Sequence, residues 1–269
     1  MKHQDHLKAI SAEYENSYGF ELPWQIPHYM PTRIGDWSVR PRLGGIGGSY
    51  LAHRVVEPPY TILYHGNDVW MSTSLIEVES HAWHLHCAKG NLLVAGLGLG
   101  MYLHAASMKA DVRKIVVIES DPDVIALMKK STDFEKWIHR DKITIIEADA
   151  LATGTRDKVG LAFGGQRPDY LYADIWPVYP DPNAPAQTKS MIDLYKPHKS
   201  GWWGQEVEFG FWLEGRARDA SLASLQDFFE DHEIDAPVHQ GYLAFCRDAI
   251  SVQLHETREP NFGAAPTFG

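Results

Sequence analysis

The chain has 269 residues, 44% hydrophobic and 22% charged, enough for one large domain or one domain with a small extension. A formal net charge of −10 argues against a surface built to hold nucleic-acid phosphates or anionic lipid. Two cysteines, Cys87 and Cys246, exclude a disulfide framework and a four-cysteine zinc site, and both are expected to be small buried residues. No apolar run approaches the roughly 20 residues of a spanning helix, and the N-terminus lacks the apolar core of a signal peptide. A soluble cytoplasmic protein without a membrane or nucleic-acid partner is therefore expected.

Three zones follow one another. The first opens with a short helix around Leu7 to Tyr14 and turns aromatic and proline-broken through Tyr18, Phe20, Trp24, Tyr29 and Trp37. Such a loop is either a lid over a site or a strap packed on the core, and residues 14–37 are the candidate lid. Short β-type runs follow at Leu51 to Val56, Thr61 to Tyr64 and Val69 to Ser72, with a hairpin turn at His65-Gly66-Asn67-Asp68. A helix is expected from Leu75 to Ala88. From Asn91 the texture becomes alternating apolar strands and helices. The strands are Leu92 to Ala95, Lys114 to Ile118, Ile143 to Ile146 and Tyr170 to Ala173, with Asp121-Pro122 opening a helix. Helical spacing returns at 187–195 and 219–230, and Ala249 to Leu254 reads as a last strand. Strands this apolar need cover on both faces, which points to an α/β fold with a doubly wound, mostly parallel sheet. The expected division is 1–88 for the lid and a small β/helix segment, 89–258 for the Rossmann-like domain, and 259–269 for a flexible tail.

The most informative segment is Val94-Ala95-Gly96-Leu97-Gly98-Leu99-Gly100-Met101. Alternating glycines between a buried strand and a helix permit close backbone approach to a ligand, with unpaired helix N–H groups behind them. The dinucleotide spacing fails at Met101 and Leu103, and a Gly-Lys-Ser/Thr phosphate loop is absent, which suits a nucleoside ligand. The next strands end in Glu119, Asp149 and Asp174, at the edge where open α/β sheets bind ligands. Glu119 can accept both ribose hydroxyl protons there, and Asp149 the exocyclic amine of an adenine.

This run of motifs resembles the class I S-adenosylmethionine (SAM)-dependent methyltransferase superfamily over roughly residues 60–255. The resemblance implies that Gly96, Gly98 and Gly100 line the amino-acid part of SAM, that Glu119 binds ribose, that Asp149 lies by the adenine, and that Asp174 both contacts SAM and faces the transfer site. A β segment before a helix with Glu77 and Glu79, together with the glycine motif itself, is similar to the spermidine-synthase-like branch. That branch carries a second acid soon after the fourth strand; here the stretch reads Asp174-Ile175-Trp176-Pro177, with Asp181 further on.

A sulfonium makes its attached carbons electrophilic, so the protein mainly aligns a nucleophile and excludes water. Asp174 is expected to orient or deprotonate that nucleophile, with Tyr179 as a second catalytic candidate. Glu79, His81, Trp176 and Trp203 are expected to touch the substrate, the aromatics as a cation cage or as core packing. His81, His84 and His86 lack a further well-spaced ligand, so a helix covering the sheet is the reading and no metal is expected. The leading function is a SAM-dependent transferase acting on a small molecule, with methyl transfer to N or O first. Non-methyl use of SAM or its decarboxylated form (aminopropyl, aminocarboxypropyl or intramolecular alkyl transfer) is the alternative, and a non-catalytic SAM-fold binding module the third. The expected partner is the small-molecule substrate, with a homodimer open as an assembly.

Overall fold

The computed structural model describes residues 3–20 and 25–258. In chain order, α1 (His3–Tyr18) precedes β1 (Thr32–Ile34), β2 (Trp37–Arg42), β3 (Gly45–Gly47), β4 (Val55–Glu57), β5 (Tyr60–His65) and β6 (Asp68–Ser72). Helices α2 (Leu75–Ser80) and α3 (Ala82–Cys87) lead into β7 (Gly90–Ala95), α4 (Met101–Met108), β8 (Val112–Glu119), α5 (Pro122–Ser131) and β9 (Ile143–Glu147). Then come α6 (Thr155–Ala162), β10 (Tyr170–Ala173), α7 (Ala184–Tyr195), β11 (Lys199–Trp202), α8 (Gln205–Arg216), α9 (Leu222–Asp231) and α10 (Gln240–Arg258).

The main sheet is five-stranded in the order β11-β10-β7-β8-β9, and every pairing in it is parallel. All residues of β7 and β10 are buried, because helices cover both faces of the central strands. The chain runs outward through β7, β8 and β9, then returns to β10 on the other side. The order reverses between β7 and β10, and a crevice opens at their C-terminal ends. This is a Rossmann-like α/β fold. Asp121 caps α5 by accepting from the backbone N–H of Asp123, with Pro122 in the first turn.

The N-terminal part is a four-stranded antiparallel sheet, β1-β2-β5-β6, beside the small β3-β4 ribbon. It docks through its own apolar cluster: Trp37, Val39 and Leu63 meet Leu99 of the glycine turn and Val124 and Leu127 of α5. The candidate lid behaves differently where it is described. Tyr14, Tyr18 and Phe20 are core residues, and Tyr18 donates to Asp248 at 2.7 Å. Further on, Tyr29 donates to the Leu99 carbonyl at 3.2 Å and Met30 N–H to the Ser131 carbonyl at 2.7 Å. Its described residues run along the core, and among them Trp37 lines the crevice. Residues 21–24 within it, and the tail 259–269, lie outside the described residues.

Three expected elements differ. Ala249 to Leu254 belongs to α10, where the buried residues Tyr242, Cys246, Ala249 and Val252 follow one another at three or four residues. The β-branched Ile250 and Val252 mimic a strand only in a six-residue window. The run Leu51 to Val56 is strand only from Val55, and the helix over 75–88 breaks at His81 into α2 and α3. Among the described residues, no helix is long and apolar enough to cross a membrane.

Candidate nucleoside and transfer site

A pocket of about 450 Å³ lies at the C-terminal tips of β7, β8, β9 and β10. Its floor is the glycine turn. Gly96 and Gly98 adopt φ of +98° and +48°, the left-handed region open to glycine. A Cβ on Gly96 would run into the backbone carbonyl of Asp174, and one on Gly98 into the Met71 sulfur. Gly100 does not line the pocket; it caps α4 at φ +71° and sits against Met128 and Trp137. Gly96→Ala should therefore cost about 2–4 kcal/mol of stability and abolish ligand binding, while Gly45→Ala, with open space around its Cβ, stays near neutral. Thermal melts of the two variants check this, and equal melting points would refute it.

Two carboxylates stand along the outer edge. Glu119 accepts from Leu97 N–H at 3.1 Å through Oε2 and from Asp121 N–H at 2.9 Å through Oε1, so it joins the glycine turn to the start of α5. Each oxygen keeps acceptor capacity toward the pocket it lines. Asp149 follows β9, exposed, with Oδ1 taken by Leu151 N–H at 2.8 Å.

The inner end holds a second pair of acids around a histidine. His81 Nε2 lies 3.7 Å from Glu77 Oε2 and 4.0 Å from Asp174 Oδ2. Burial raises Asp174 to about 7, with a further push from Glu119. Burial also raises Glu77 to about 8, with repulsion from Asp174 adding to it and the Ser72 N–H partly opposing it. Burial holds His81 down at about 3, so the ring is neutral. Its Nδ1 is 2.6 Å from the Tyr172 hydroxyl, and the next histidine, His84, pairs with Tyr170 at 2.8 Å. Helix phase and strand alternation thus bring both histidines to one face of β10. Trp203 donates to Ser80 Oγ at 2.9 Å and stacks beside His81, and Trp176 donates to Gln187 at 2.7 Å; both line the pocket.

Gly96, Gly98, Glu119, Asp149, Asp174, His81, Trp176 and Trp203 therefore meet around one cavity. Glu79 does not. It is turned to the strap, accepting from Tyr14 at 2.5 Å and from Leu51 N–H at 3.0 Å. Tyr179 also stays outside the lining: its hydroxyl donates to Gln253 at 3.1 Å and its ring backs Trp203 edge-on. Glu77 lines the pocket instead, and its signal was the four-residue spacing to His81 on a helical path. Trp37, the last residue of the candidate lid, also lines the pocket, as do His65 and Trp70 from the same N-terminal sheet, which no motif announced.

No protein-family model matches the chain, and no curated protein matches it. Solved structures do share part of it. The methyltransferase domain of bacterial CtHen1 aligns over 41% of this chain and 54% of its own, about half its length, at 14% identity and a TM-score of 0.33. A putative caffeoyl-CoA O-methyltransferase from Staphylococcus aureus aligns over 68% and 73%, at 15% identity and a TM-score of 0.34. Spermidine synthase from Thermotoga maritima aligns over 64% and 55%, at 13% identity and a TM-score of 0.34. At these scores the fold is read from the strand order itself, and the site from its own residues.

Proposed function

We propose that the chain is a SAM-dependent transferase acting on a small-molecule amine. One observation carries the reading: among the described residues the pocket is lined by five carboxylates, Glu77, Glu119, Asp121, Asp149 and Asp174, and by no Lys or Arg. Such a cavity favours cations, which a sulfonium and an amine both are. The residues fit the nucleoside, since the side-chain-free turn at Gly96 and Gly98 lets it lie against backbone, and the volume falls in the range of small-molecule sites. Bound SAM would supply a sulfonium whose attached carbons are electrophilic. Glu119 would accept from the ribose hydroxyls and Asp149 from the adenine amine. Asp174, ionised, takes the proton that the amine must lose to become a nucleophile, and Glu77 holds the amine from the other side. His81, fixed by Tyr172, keeps the two acids apart, and Trp176 and Trp203 exclude water.

Methyl transfer to nitrogen is the first reading of the reaction. A second is supported by the turn's donors. Leu97 N–H is taken by Glu119 and Leu99 N–H by the Met71 sulfur at 3.1 Å, so these two donors of the turn are closed to the α-carboxylate of SAM. A decarboxylated, amine-ended form would suit the acidic cavity better, and aminopropyl transfer would follow. Calorimetry with SAM and decarboxylated SAM, then mass spectrometry of turnover with an amine panel, decides. S-adenosylhomocysteine marks methyl transfer and methylthioadenosine chain transfer; binding of neither nucleoside leaves the binding-module reading.

A further inference from the structure

A chain of hydrogen bonds runs from the N-terminal sheet to the carboxylate at the tip of β8. Trp37 Nε1 donates to Asp121 Oδ2 at 2.8 Å. The other oxygen of Asp121 accepts from Asp123 N–H at 2.8 Å, so this side chain is pinned from two directions. The Asp121 backbone N–H in turn donates to Glu119 Oε1, and Glu119 Oε2 accepts from Leu97 in the glycine turn. Trp37 is itself held: it stacks at 4.4 Å on His65, its cross-strand partner in β2-β5, meets Trp70 edge-on at 5.2 Å, and is only 6% exposed. All three rings line the pocket.

We propose that Trp37 is a positioning residue for nucleoside recognition: through Asp121 it fixes Glu119 for the ribose hydroxyls, so that the N-terminal sheet sets ribose selectivity from outside the Rossmann-like domain. The inference rests on the nucleoside reading given above. Its physical basis is that a carboxylate bonded on both oxygens keeps one orientation, whereas loss of a neighbouring anchor lets the start of α5 relax. Asp121 and Glu119 both keep lone pairs beyond these bonds; Glu119 is assigned the diol because it stands at the tip of β8 bonded to the glycine turn, and Asp121 is assigned the orienting bonds on either side of it.

The test uses the full chain and a matched pair of probes, adenosine and 2′,3′-dideoxyadenosine, with affinities by calorimetry. The wild type should prefer adenosine by about tenfold, roughly the worth of a charge-assisted hydrogen bond. Trp37→Phe keeps a ring in the apolar cluster but removes the donor. It should weaken adenosine about five- to tenfold and leave dideoxyadenosine within about twofold. Asp121→Asn, which still caps α5 but can turn its NH₂ toward Trp37, should give the same selective loss if the tryptophan variant folds poorly. Equal weakening of both probes overturns the proposal, since a purely structural role would not distinguish them, and so does no change in either. A wild type that binds neither nucleoside overturns the transferase reading and this inference with it. One that binds both equally overturns the inference alone.

Discussion

Asp174→Asn should lower kcat for transfer to an amine by about 10²–10⁴-fold while leaving nucleoside affinity within about threefold. The substitution preserves volume, and the contact between Gly96 and residue 174 is made through the backbone carbonyl, which asparagine retains. What is removed is the capacity to take a proton. The carboxyl titrates near 7 because burial and the charge of Glu119 both disfavour its ionised form. Wild-type kcat/KM should therefore rise with pH through about 7, and because Glu77 is coupled to Asp174, the rise belongs to the pair and extends toward 8. In Asp174→Asn this limb should flatten. A pH–rate profile with calorimetry of the nucleoside separates the roles. If nucleoside binding collapses along with turnover, Asp174 belongs to the nucleoside's cradle and the acid–base role is wrong.

The half of the molecule that was legible in the sequence was legible for physical reasons. Strands covered on both faces must be apolar throughout, so Leu92 to Ala95 and Tyr170 to Ala173 stand out as contiguous runs. Once their order is known, the positions just beyond their C-terminal ends must share one crevice, which brought Glu119, Asp149 and Asp174 together on paper. What fails is phase. Residues 75–88 contain Glu77 and Glu79, and a helix that breaks at His81 has no single face to count along. Only the pairing of Glu77 with His81 one turn apart separates the pocket acid from the one bonded to Tyr14.

Docking was the other illegible quantity. The hairpin of β5 and β6 is written in its turn residues, yet nothing local says that its sheet will lie across α5 and the glycine turn. That contact brings Trp37, His65 and Trp70 to the pocket, and it arises from complementary apolar surfaces far apart in sequence, Trp37 meeting Leu99 of the glycine turn and Val124 of α5. The strap shows the same limit. Its aromatics read equally as a lid or as core packing, and nothing local says that Tyr18 and Phe20 will pack on Phe245 of α10. Periodicity reports which face of an element is dry, but not which other element dries it.

Glu77→Gln should make the protein more stable at pH 8 while impairing its use of an amine. In the native chain this carboxyl titrates at about 8 instead of 4.5, mainly because burial opposes its charge. The folded state therefore holds the proton more tightly than the unfolded state does. The stability this contributes is fully present below about 4.5 and is lost as pH climbs toward 8. Glutamine is permanently neutral and can keep accepting from the Ser72 N–H, which lies 3.2 Å from Glu77 Oε1. At pH 8 the variant should thus gain about 2 kcal/mol, seen as a Tm higher by about 5 °C for a chain of this size. At pH 4.5 the two proteins should melt together. The same substitution removes one of two carboxylates facing the acceptor, so KM for the amine should rise about tenfold with a smaller change in kcat. A lower Tm for Glu77→Gln at both pH values would show that the ionised carboxylate supports the fold, and the acidic inner end would then need an explanation other than an amine.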